Sequence, residues 1–185
     1  MITISKEDRV KLLNLDATVH ISDKLVILRE EQKLGYAKLI VHLTYPHICF
    51  LNADKQTLGY LKTLRCADAI LFGREGEQRI LKILEFKKCM TVESLKKSLS
   101  QFEGALYNAM VIASFLKIDD FDEIRLYSAY RYDKIDENPY SHKIKENQIA
   151  LRQWRAGKVK LPYVDIEVPY KRIVLDEQGE GEVEL

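Results

Sequence analysis

Cysteine is scarce: Cys49, Cys66 and Cys89 are the only three in 185 residues. None is spaced as C-x-x-C and their number is odd, so they read as reduced thiols of a cytoplasmic protein, with no structural zinc site. No apolar run approaches the roughly 18 residues of a membrane-spanning helix. The opening MITISKEDRV lacks the charged-then-apolar layout of a signal peptide, so export is not expected either. An excess of one charge is missing as well, because 29 Lys and Arg stand against 28 Asp and Glu, for a net +1. That balance excludes a globally basic nucleic-acid binder, and any polyanion site must be a local patch. Internal repeats and low-complexity segments are absent apart from an acidic, glycine-containing end.

What is present is an ordinary globular composition, 46% apolar and 31% charged. The length suits one domain with a sizeable core. We expect that domain over residues 1–175, followed by a flexible acidic tail over 176–185. The most informative stretch is CADAILFGREGEQRILKILEFKK, residues 66–88. Two apolar runs, 67–72 and 80–86, flank a turn-prone segment at 73–77, which reads as a β-hairpin or an adjacent strand pair. Asp68 interrupts the first run, and Glu85 and Lys87 end the second. Side chains alternate along a strand, so Glu85 and Lys87 share one face while Phe86 takes the other. Strands this apolar belong inside, and charges buried there need partners.

An Asp followed seventeen residues later by Glu-x-Lys on consecutive strands resembles the PD-(D/E)XK nuclease superfamily. The resemblance rests on Asp68, Glu85, Phe86, Lys87 and the helix that follows. It departs from the pattern at Ala67, where the family commonly has proline. The resemblance implies an α/β fold with an αβββαβ restriction-endonuclease-like core, a mixed central sheet flanked by helices, and here C-terminal helix and strand additions. It also implies that Asp68, Glu85 and the Phe86 carbonyl bind Mg2+ or Mn2+, while Lys87 orients the attacking water. Hard oxygen donors suit magnesium, and a nearby cation steadies developing negative charge.

Ser5 caps a short helix through Leu15, and residues 18–21 form a strand or loop. His20 is either an extra metal ligand or an ordinary histidine. Residues 23–43 are expected to be helical, after a short strand at 25–28, with Leu25, Leu28, Tyr36, Leu39, Ile40 and Leu43 on one face. On that helix Glu31 is the candidate acidic residue reaching the metal, or else a solvated flanking carboxylate. A strand is expected at 47–51. The clearest helix runs from Val92 to about Lys117, capped by Thr91, with Leu95, Leu99, Phe102, Leu106, Ala109, Met110, Ala113 and Leu116 in its core stripe. Some branches of the family place a Gln from this helix beside the metal, and Gln101 resembles it; Tyr107 is too far along to complete the pair. Lys88, Lys96 and Lys97, beside Lys87, form either a phosphate-binding patch or a solvated face. A strand over 119–132 puts Ile124, Leu126, Ser128 and Tyr130 on one side and Arg125, Tyr127, Ala129 and Arg131 on the other. A helix from Ser141 to Ala156, ended by Gly157, carries Trp154, which either stacks on a base or is partly buried.

Three functions follow. The first is a metal-dependent nuclease hydrolysing phosphodiester bonds, with DNA ahead of RNA, in a defence, restriction or mobile-element system. The second is a catalytically inactive nuclease-like fold that binds protein or nucleic acid. The third is a subunit of a defence, restriction or toxin system whose other domains supply recognition, and a homodimer or a partner subunit is the assembly to expect. No membrane partner is expected.

Overall fold

A computed structural model of the chain describes residues 19–32, 35–55, 65–118, 120–135, 145–161 and 167–185. Its organising element is a 13-residue strand buried on both sides, β6 (Gln78–Met90). Leu81 and Ile83 enter one apolar cluster and Leu84 and Phe86 the other, as alternation requires. β6 pairs with β5 (Ala69–Glu75) as an antiparallel hairpin in which Glu75 faces Gln78. The loop is therefore Gly76-Glu77, with Gly76 at φ +61°, a backbone angle glycine adopts without a Cβ penalty. The turn is shorter than the 73–77 expected. Gly73 lies inside β5, where the His47 ring takes the space of a side chain.

β4 (His47–Leu51) pairs antiparallel with β5, and β1 (Val19–Ser22) pairs antiparallel with β4. After β6 the chain turns into α1 (Val92–Leu116) and returns as β7 (Glu123–Asp133), parallel to β6. α1 starts where expected, because Thr91 and Ser94 form a reciprocal capping box, with Ser94 N–H donating to Thr91 Oγ1 at 3.2 Å and Thr91 N–H to Ser94 Oγ at 2.7 Å. Leu95, Phe102, Leu106, Ala109, Ala113 and Leu116 are buried against the sheet, whereas Met110, expected in the stripe, is exposed. β7 divides its faces as expected: Leu126 and Tyr130 join the α1-side core, Tyr127 and Ala129 the opposite one. The sheet continues with β9 (Glu167–Val174), parallel to β7, and ends at β8 (Lys158–Lys160), in the order β1-β4-β5-β6-β7-β9-β8.

α2 (Lys145–Ala156) ends at Gly157, at φ +63°, and packs on the same face as α1. Its Trp154 is buried between Tyr130 and Tyr170, 5.6 and 5.7 Å away between ring centres, with Arg172 over the ring, so it is not a base-stacking platform. The expectation of helices flanking the sheet is thus corrected, since both described helices cover one face.

The other face is covered by a second sheet, where two expectations fail. Residues 25–42 form a hairpin, β2 (Leu25–Gln32) and β3 (Gly35–His42), in place of a helix. The expected flexible tail contributes β10 (Glu180–Glu184), parallel to β3. Val26, Leu28, Leu39 and Val41 bury with period 2 against the large sheet, forming the second core with Leu84, Phe86 and Tyr127. The same apolar residues also satisfy a 3.6-residue count. What selects the strand is β10, a partner some 140 residues away that no local pattern announces. The chain is thus mixed α/β, with a seven-stranded mixed sheet between a helical layer and a three-stranded sheet.

Candidate functional site

Asp68 stands one residue before β5, where the ladder with β6 ends at Ala69 and Leu84. Its side chain continues the pairing, because Oδ2 accepts the Phe86 N–H at 2.6 Å. That fixes the carboxyl beside the C-terminal half of β6. Glu85 and Lys87 share the α1 side of this strand, and Lys87 Nζ is ion-paired with Glu85 Oε1. The same ammonium donates to the Phe86 carbonyl at 3.2 Å and to Gln101 Oε1, from α1, at 2.9 Å. Its three donors are thereby used. Gln101 Nε2 in turn donates to the Cys66 carbonyl at 3.3 Å, tying the helix to the segment that carries Asp68. Asp68, Glu85, Lys87 and Gln101 thus converge from three separate elements.

The charge balance is unfavourable. Glu85 is only 1% exposed; among the described residues no N–H or hydroxyl reaches its Oε2, and the neighbouring Asp68 carboxyl is the side chain that can share a proton with it. Burial pushes the Glu85 carboxyl up to about 7, against the opposing pull of Lys87. Burial first, and the Glu85 charge second, hold the Asp68 carboxyl well above the usual carboxylate range. Glu30 adds negative charge to both.

These groups line a pocket of 320 Å³. Glu30 reaches it from β2, in strand parity with the buried Val26 and Leu28. Had the segment been read as a strand, that parity would have picked out Glu30 in place of Glu31. Glu31 pairs across the hairpin with Tyr36, and its side chain lies outside the described residues, as does that of His20. Lys88 and Lys97 line the pocket, whereas Lys96 is exposed on α1 away from it. Arg131 and Tyr36, on β7 and β3, also line it and had no signal in the sequence once β2–β3 was taken for a helix. Tyr107 is elsewhere, donating to Glu103 at 2.7 Å.

A second polar cluster, also missed, lies under the opposite face at the other end of β6. Lys82 is fully buried, its Nζ 2.7 Å from Glu75 Oε1 and 3.1 Å from His47 Nε2. Arg125 grips both Glu75 oxygens at 3.0 Å and also pairs with Glu123. His47 Nδ1 lies 2.6 Å from the Tyr45 carbonyl and so carries the proton, which leaves Nε2 to accept from the lysine. Burial is the main cause that keeps the imidazole neutral, and the Lys82 charge adds to it. This network is closed on itself and holds together β4, β5, β6 and β7. The thiols of Cys49 and Cys66 are pushed up to about 12 by burial, so neither is a thiolate nucleophile at neutral pH.

Among the described residues no group of three His, Cys, Asp or Glu is arranged to hold a metal ion. Asp68, Glu85 and the Phe86 carbonyl nevertheless offer the hard oxygen donors that a divalent cation takes, and Glu85 Oε2, which no N–H or hydroxyl of the described residues reaches, leaves donor capacity unused. No described helix is long and apolar enough to cross a membrane. Comparisons with protein-family models, with curated proteins and with solved structures find no match.

Proposed function

We propose that the chain is a metal-dependent nuclease that hydrolyses phosphodiester bonds in nucleic acid. The observation that carries the reading is the convergence of two carboxyls that burial pushes up, Glu85 and Asp68, with the Lys87 ammonium and the Phe86 carbonyl at one pocket. Two carboxyls that burial pushes up, with Asp68 raised further by the Glu85 charge, are costly to ionise together, and a cation between them relieves that cost. The antiparallel trio β4, β5 and β6, then α1, then parallel β7, supports the reading because it follows the βββαβ part of a restriction-endonuclease-like αβββαβ core, the described segment before it being the β2–β3 hairpin and not the first helix. In this proposal Asp68, Glu85 and the Phe86 carbonyl hold Mg2+ or Mn2+, with Glu30 next to them and Glu31 as the earlier candidate for that place. A bound divalent cation supplies positive charge and Lewis acidity at the phosphodiester. Lys87, on exchanging its Glu85 bond, orients the attacking water and offsets charge developing on phosphorus-bound oxygens, and Gln101 holds the lysine amine in position. Lys88 and Lys97 hold the backbone on either side, with Lys96 farther out.

One observation favours a second reading. Lys87 already neutralises Glu85, so a closed ion pair in a fold that binds nucleic acid or protein without cutting would look alike. Incubating the protein with plasmid DNA, single-stranded DNA and RNA, in Mn2+ or in chelator, separates them. Cleavage in Mn2+ that stops in chelator supports the nuclease. No cleavage of any of the three, with no calorimetric Mn2+ binding, supports the binding module.

A further inference from the structure

The walls of the acidic pocket say which strand form enters it, an inference that rests on the nuclease reading for its chemistry and on the walls alone for its selectivity. Glu85 lies at the base, 1% exposed, and the pocket over it has 320 Å³ of space. Lys97 and Gln101 of α1 bound it on one side. Tyr36 of β3 and Gly179 of the β9–β10 turn bound it on the other.

That second wall is fastened in place. Arg131 Nη2 donates to the Tyr36 carbonyl at 3.0 Å and to the Gln178 carbonyl at 2.8 Å. Lys38 N–H bonds the Gly179 carbonyl at 2.8 Å, starting the β3–β10 ladder. Gly179, at φ +85°, leaves room for the arginine: a Cβ there would lie 2.2 Å from Nη2 and 2.4 Å from the Tyr36 carbonyl oxygen. The guanidinium therefore sits wedged between two sheets with only neutral carbonyls and the Tyr132 ring, 5.8 Å away, as partners, and among the described residues no carboxylate neutralises it. A partly buried cation without a counter-ion, lining a pocket whose base is anionic, is matched to a ligand that brings its own anion. Guanidinium forks suit phosphate. Tyr36, 39% exposed, lines the pocket with Arg131, and an exposed ring beside a guanidinium is a platform on which an unpaired base stacks.

We propose that this pocket admits one unpaired nucleic-acid strand, with Arg131 holding the backbone phosphate next to the one at Glu85, and that it excludes paired duplex. A base that stacks on the Tyr36 ring must offer it a free face, which an unpaired strand has and the stacked base pairs of a duplex keep covered. The wedge also makes Arg131 a specificity residue, since the guanidinium that meets the phosphate is the one holding the wall that carries the Tyr36 ring.

The test is fluorescence anisotropy in chelator, where no cleavage occurs, using one short labelled oligonucleotide alone and annealed as a blunt duplex. The single strand is expected to bind at least about tenfold more tightly. Arg131→Lys, which keeps the charge and loses the fork, is expected to weaken single-strand binding about tenfold in a variant that its melting curve shows to be folded. Equal affinity for the two forms, or Arg131→Lys binding the single strand as the wild type does, overturns the proposal. The wild-type comparison stands whether or not the variants fold. Adding Mn2+ then reads the nuclease proposal separately. Single-strand selectivity without cleavage removes the enzyme and keeps the pocket, and cleavage of duplex and single strand alike keeps the enzyme and removes the pocket's selectivity.

Discussion

Replacing Glu85 with Gln should make the protein more stable at pH 8, although it removes one half of an ion pair. Burial raises the Glu85 carboxyl from 4.5 to about 7. Between those values the folded state binds more protons than the unfolded one. The stability this group contributes is fully present below pH 4.5 and is lost as pH rises through about 7. At about 1.4 kcal/mol per pH unit, the ionised carboxylate costs about 3 kcal/mol above pH 7. Gln resembles the protonated acid, so it avoids that cost, and Lys87 keeps its bonds to the Phe86 carbonyl and to Gln101. The gain is expected to be near zero at pH 4.5 and to reach about 3 kcal/mol at pH 8, roughly 10 °C in melting temperature for a chain of this size. Urea unfolding of both proteins in chelator across that range measures it. A variant less stable than wild type at pH 8, or a difference that does not change with pH, would refute the reasoning, because the carboxylate would then be a net stabiliser.

Two further outcomes test the second cluster. Gly73→Ala places a Cβ 2.2 Å from His47 Nε2, on a ring held between the Tyr45 carbonyl and Lys82, so a loss of about 2 kcal/mol is expected in urea unfolding; an unchanged midpoint would mean the ring moves freely. His47, kept below 6.5 by burial and by Lys82, binds fewer protons folded than unfolded, so its contribution falls as pH drops below 6.5. The stability difference between wild type and His47→Gln should accordingly shrink from pH 7.5 to 5.5, and a constant difference speaks against a neutral imidazole.

How much of this was legible in the sequence depended on how local the deciding interaction is. β6 declared itself because one strand carries apolar residues to both cores, and α1 because Thr91 and Ser94 cap it within four residues. The spacing of Asp68, Glu85 and Lys87 and the phase of Gln101 also sufficed to bring those four together, since a two-residue turn and one helical face relate them. The β2–β3 hairpin was not legible, because its apolar residues fit both periods and its partner strand comes from the far end of the chain. The site readings tied to that segment changed with it: Glu30 lines the pocket from β2, the Glu31 side chain lies outside the described residues, and Tyr36 and Arg131 form a wall that a helix there gives no reason to expect. Gly73 read as a turn because its real constraint, the His47 ring, belongs to another strand.

The central claim is that Asp68, Glu85 and Lys87 form one metal-dependent hydrolytic site. It is tested most directly by incubating wild type, Asp68→Ala and Lys87→Ala with a labelled single-stranded oligonucleotide in Mn2+, each variant first shown to be folded by its melting curve. The account predicts cleavage by the wild type that chelator abolishes, and a loss of at least about a hundredfold in both variants. Cleavage retained by both folded variants, or undiminished in chelator, would contradict it.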